Sequence, residues 1–150
     1  MSLGPELVVN GGFDTDTDWT DVPESSSWLI ETGRLIFLAV SPGSFTKEQT
    51  ISITPGKSYQ VSVDTVHWSN GNIISVFLGG TEIVLSAVSY SGIVEAGATD
   101  SKIRFVGTAI APESWDKFDN VSVREVLADD GGIPMDFGAM GFWAMGFWEF

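Results

Sequence analysis

The run Lys57-Ser58-Tyr59-Gln60-Val61-Ser62-Val63-Asp64-Thr65 decides the fold. Tyr59, Val61, Val63 and Thr65 alternate with Ser58, Gln60, Ser62 and Asp64. A period of two places one set on each face of a strand, apolar toward a core and polar toward water. Just upstream, Pro55 sets φ and Gly56 supplies the left-handed position of a type II turn. That turn joins a strand at 45–53 to the strand at 57–66. Working outward, Ile103 and Phe105 alternate with Lys102 and Arg104, and Val121 and Val123 with Ser122 and Arg124. Turn residues punctuate the chain at Asn10-Gly11-Gly12, Thr32-Gly33, Ser41-Pro42-Gly43, Asn70-Gly71, Gly79-Gly80 and Ala96-Gly97. Strands are expected near 6–9, 27–31, 34–40, 45–53, 57–66, 72–78, 81–86, 90–94, 101–107 and 115–127. Short strands with turns this close together predict an all-β chain, a sandwich or jelly roll. No stretch carries an amphipathic helical pattern.

The 150 residues suit one domain with a core of its own. The chain has no cysteine, which removes disulfides, thiolate metal sites and Cys nucleophiles. Seven basic residues against 20 acidic ones leave a net charge of −13. Such a surface repels nucleic acid and anionic membranes alike. With 43% hydrophobic and 12% aromatic residues, the chain is not an acidic disordered segment. The start, Met1-Ser2-Leu3-Gly4-Pro5-Glu6, lacks a basic region before an apolar run, so no secretory signal is expected there. No run is long enough to span a bilayer as a helix.

Composition divides the chain at the breaker Asp129-Asp130-Gly131-Gly132. Residues 1–128 read as the β-rich domain and 129–150 as a Gly-, Met- and aromatic-rich tail. Both ends of the domain carry signatures. The first is Glu6-Leu7-Val8-Val9-Asn10-Gly11-Gly12-Phe13-Asp14 followed by Trp19. The last is Trp115-Asp116-Lys117-Phe118-Asp119-Asn120-Val121-Ser122-Val123. Between them lie the segment from Gln49 to Tyr59 and Ser75-Val76-Phe77-Leu78-Gly79-Gly80. In this order they resemble carbohydrate-binding modules of the galactose-binding-like jelly-roll type, which also recur in bacteriophage virion and tail proteins. The resemblance implies a jelly-roll β-sandwich over roughly residues 5–127 and a surface for glycans. It also implies a structural Ca²⁺ between the first loop and the last strand, on Asp14 and Asp119. Read from the residues alone, Asn10-Gly11-Gly12 is expected to turn through positive φ, Phe13 and Trp19 to plug the core, and Asp119 to stand at a strand entrance.

The chemistry expected of the domain is binding, not catalysis. The single histidine, His67, lies in no Gly-x-Ser-x-Gly context, and no phosphate-cradling loop follows a strand. Asp14-Thr15-Asp16-Thr17-Asp18 opens like an EF-hand, but Trp19 and Ser25 stand where that loop needs Gly and Glu. For sugar contact the candidates are Trp68, His67, Trp28 and Tyr90, flat rings near polar loops. Core packing competes for each, evenly for Trp68. Trp19 and Trp115 adjoin strand starts and are expected in the core.

In the tail, Ala139-Met140-Gly141-Phe142-Trp143 repeats as Ala144-Met145-Gly146-Phe147-Trp148, with a degenerate copy at Met135-Asp136-Phe137-Gly138. A period of five sends successive copies to opposite faces of a strand, so both faces are apolar. Met135, Phe137, Met140, Phe142, Trp143, Met145, Phe147 and Trp148 are therefore expected to serve assembly; packing on the chain's own sandwich is the competing role. Together these readings predict a non-enzymatic surface protein of a bacteriophage virion, a capsid-decoration, head-fibre or tail-fibre component made in the host cytoplasm. Its expected partners are other virion proteins, copies of itself as a trimer, and a host-surface glycan. The alternative is a stand-alone, extracellular carbohydrate-binding module of a glycan-degrading system.

Overall fold

The computed structural model of the chain describes residues 2–22, 27–40, 42–111 and 113–127. The tail boundary at 129 and all eight expected assembly residues lie outside them. The described residues form eleven strands: β1 Ser2–Glu6, β2 Thr20–Val22, β3 Trp28–Glu31, β4 Arg34–Leu38, β5 Gly43–Thr50, β6 Ser58–His67, β7 Asn72–Leu78, β8 Thr81–Val84, β9 Tyr90–Glu95, β10 Lys102–Ala109 and β11 Trp115–Leu127. They build two antiparallel sheets that face each other as a jelly-roll sandwich. One has the order β3-β4-β11-β6-β9, with β1 also pairing β11 (the terminal sheet); the other has the order β2-β5-β10-β7-β8 (the inner-strand sheet). No described helix is long and apolar enough to cross a membrane.

Strand β6 has the alternation its sequence requires: Tyr59, Val61 and Val63 are buried, and the residues between them are not. Across the sandwich, Ile103 and Phe105 of β10 are buried in the same way. Phe105 is the hub of the core, with its ring centroid 5.9 Å from Trp19, 5.8 Å from Trp28 and 5.9 Å from Phe118. Gly107 lets the Phe37 ring pack directly on β10, since a Cβ there would come within 2.5 Å of it.

Three local expectations are corrected. The first strand is Ser2–Glu6, not 6–9: past Glu6 the N–H groups of Val8 and Val123 go to the Glu6 carboxylate and not to backbone carbonyls of a continuing ladder. β2 at Thr20–Val22 carries no alternation of its own and exists because β5 offers it an edge. In the first loop the positive φ values fall on Asn10 (57°) and Phe13 (54°), and Gly11 and Gly12 are not among the positive-φ residues. Gly11 is required for another reason: a Cβ there would lie 2.1 Å from the Val121 carbonyl oxygen. The Pro55-Gly56 turn is as expected, with Gly56 at φ 85°.

Candidate functional site

On the inner-strand sheet, the residues between the core positions of β10 point outward. Arg104 stands opposite Glu48 of β5 and Phe77 of β7, and Phe77 stands opposite Glu82 of β8. One row across four strands therefore reads Glu48, Arg104, Phe77, Glu82. The row beside it reads Thr46, Val106, Ser75, Val84. A shallow pocket of about 330 Å³ opens on this face, lined by Phe77, Gly80, Thr99, Asp100, Arg104 and Val106.

Carboxylates on both sides hold the guanidinium in this pocket. Arg104 Nε and Nη2 lie 3.0 and 2.9 Å from Asp100 Oδ2. Arg104 Nη1 lies 3.2 Å from Glu48 Oε1. Glu48 Oε2 accepts from Lys102 Nζ at 2.6 Å, and Asp100 Oδ1 accepts from the Lys102 backbone N–H at 3.0 Å. Ser75 Oγ donates to Glu82 Oε2 at 2.8 Å. Each long side chain thus has its rotamer set by another, which lowers the entropy lost when a ligand binds. A half-buried phenyl ring beside fixed planar donors and acceptors has the chemistry to take a sugar: an apolar ring face on Phe77, and partners for hydroxyls on Arg104 and Asp100. Reading the sequence for flat rings near loops missed this face, because its residues are spread over four strands. A signal was present in the outward pair Lys102 and Arg104, which concentrates scarce positive charge on one strand.

The aromatic candidates are divided by the fold. His67 and Trp115 come together: their rings stack at 3.8 Å with an interplanar angle of 18°, and Lys117 Nζ lies 4.8 Å from the Trp115 ring centre. Trp115 is 37% exposed, which corrects its expected place in the core. The phase of β11 is the reason: Asp116 and Phe118 face inward, so Trp115 and Lys117 face out. Trp68 is half-buried, edge-on to Phe118 at 6.4 Å. Its loop is anchored by the fully buried Asp116, whose carboxylate accepts from Ser69 N, Ser69 Oγ and Asn72 Nδ2 at 2.7, 3.1 and 3.0 Å. Trp28 offers no face to a sugar. It is 1% exposed and packs on Phe37 and Phe105, and its Nε1–H donates to the Phe45 carbonyl at 2.8 Å. Tyr90 is half-buried against the core on edge strand β9, its ring lying over Gly92, apart from His67.

The first loop and last strand do meet, through backbone and one carboxylate. Val121 N–H donates to Gly11 O, and Leu7 N–H to Val123 O. Glu6 Oε2 accepts from Val8 N and Val123 N at 3.1 and 2.8 Å. Asp119 does not stand at a strand entrance but midway along β11, beside the irregularity at Asn120, whose φ is 51°. Its carboxylate pairs with Arg34 at 3.4 Å. Asp14 is exposed, its N–H donating to Asn10 Oδ1. Among the described residues no three His, Asp or Glu side chains gather as metal ligands. Ca²⁺ takes roughly six to eight oxygens, so an ion held by Asp14 and Asp119 would also need backbone carbonyls.

No protein-family model matches the chain, and no curated protein does. Solved structures do. TmCBM61 in complex with β-1,4-galactotriose is similar at a TM-score of 0.52 and 13% identity, over 80% of this chain and 98% of that one. A cleaved adhesin domain of Lys-gingipain from Porphyromonas gingivalis is similar at 0.54 and 11% identity, over 81% of this chain and 98% of that one. The enzymatically active domain of bacteriophage CBA120 tailspike protein 4 is similar at 0.52 and 14% identity, over 81% of this chain and 21% of that one. At these identities the likeness is one of fold.

Proposed function

We propose that this chain is a non-enzymatic glycan-binding module whose ligand lies across the outer face of the inner-strand sheet. The observation that carries the reading is the pocket in which Phe77 adjoins an Arg104 fixed by Glu48 and Asp100. Support comes also from a similarly folded neighbour that holds a galactotriose. The face suits binding more than turnover: Glu48 and Asp100 are engaged in ion pairs with Lys102 and Arg104, and the sole histidine lies on the other sheet.

A panel of neutral polysaccharides in affinity electrophoresis, followed by calorimetry, tests this. Phe77→Ala and Arg104→Lys should each weaken binding about tenfold, or ~1.4 kcal/mol, without loss of fold. Loss on Trp115→Ala with both sheet variants unchanged would move the ligand to the His67–Trp115 corner. No binding across the panel would end the glycan reading.

A finer reading sets the module on a bacteriophage particle, anchored by residues 129–150. Two observations support it: the tail repeat at 139–148, and a tailspike domain among the similar folds. In this reading the chain joins other virion proteins and copies of itself, as a trimer. Immunogold labelling of purified virions tests it, and light scattering that shows a lasting monomer would count against the anchor.

A further inference from the structure

We infer that the Glu48–Arg104–Asp100 clamp is a charge filter that restricts the pocket to neutral glycans and turns away uronate- and sulfate-bearing ones. This rests on the glycan reading and names its substrate class. Arginine takes an oxyanion bidentately through two N–H groups on one edge. In this pocket Nε and Nη2 are both committed to Asp100 Oδ2, and Nη1 faces Glu48 Oε1. An incoming carboxylate or sulfate is left only the two remaining N–H groups, one on Nη1 and one on Nη2. It must also approach Glu48, Asp100 and Glu82, three acids against the two cations Lys102 and Arg104, on a chain of net charge −13.

A neutral sugar meets the opposite situation. Its hydroxyls donate to lone pairs left free on Asp100 and Glu82 and accept from the Arg104 N–H groups that the clamp leaves over. The carboxylates thus act as acceptors for hydroxyl donors and as an electrostatic barrier to anionic groups. Asp100 is the positioning residue: it holds Arg104 from one side and the start of β10 from the other, through the Lys102 backbone N–H.

The test uses the full chain and two probes. With inorganic sulfate alone, followed at the ¹⁵N resonance of Arg104 Nε, the wild type should show no saturable shift. Asp100→Asn, which keeps the shape and removes the charge, should acquire one, and Glu48→Gln/Asp100→Asn a larger one. With polysaccharides, neutral galactan should bind at least tenfold tighter than polygalacturonate, and Asp100→Asn should narrow that ratio. Sulfate binding by the wild type as strong as by Asp100→Asn would overturn the filter, as would equal affinity for the neutral and acidic polymers. Absence of all glycan binding would defeat the functional reading while the sulfate arm still decides on the filter. If the double variant does not fold, Asp100→Asn alone carries the comparison.

Discussion

Asp116 shows how a single buried charge organises one end of the sandwich. Three donors, from Ser69 and Asn72, converge on its carboxylate inside the protein. Asp116→Asn keeps the volume but turns an amide NH₂ toward one of those donors. It should lower stability by about 2 kcal/mol, the usual worth of hydrogen bonds to a buried charge. Urea unfolding with an unchanged m-value checks this, and an unchanged midpoint would contradict it. Gly11 is a second such residue. Gly11→Ala would push its new Cβ into the Val121 carbonyl, so the first loop and last strand must part. A cost of about 1–3 kcal/mol is expected, by the same denaturation measurement. Gly11 reads in the sequence as a turn residue, and its reason for being glycine is visible only where β11 passes beside it.

At the scale of elements, the hairpin between β3 and β4 turns on Thr32 and Gly33, both at positive φ (52° and 72°). A β-branched residue is strained there, whereas asparagine tolerates it. Thr32→Asn should therefore stabilise the protein by about 0.5–1 kcal/mol, read as a rise of a few degrees in Tm. A lower Tm would show that the strain is relieved elsewhere. Strand β11 is the longest described, because three partners share its edges: β6 along one side, and β4 and then β1 along the other. Its existence is plain from Val121 and Val123, but the phase of its first half is not. A reader of Trp115-Asp116-Lys117-Phe118 sends the tryptophan inward and the aspartate out. The fold does the reverse, because Ser69 and Asn72, more than forty residues away, supply the donors that make a buried Asp116 tolerable. Lys47 is buried for a similar reason, with Asp21 of the neighbouring strand 3.1 Å from its ammonium.

At the scale of the molecule, the buried apolar cluster runs from Val8 to Val123 and draws on both sheets. A chain ending at residue 130 should therefore keep the melting temperature and glycan affinity of the full protein while losing any self-association that the tail confers. Circular dichroism and light scattering on the two forms check this, and unfolding of the shorter one would show that the tail completes the core. Side-chain alternation and turn residues determined that the chain is all-β and where most strands lie, because both are local, and composition marked off the glycine- and aromatic-rich stretch that follows. Only the tertiary structure decided that Trp28 is core and Trp115 is surface, and that Glu48, Arg104, Phe77 and Glu82 form one row. Those facts depend on strand register and on hydrogen-bond donors brought from distant loops, and neither is written in any one stretch of sequence.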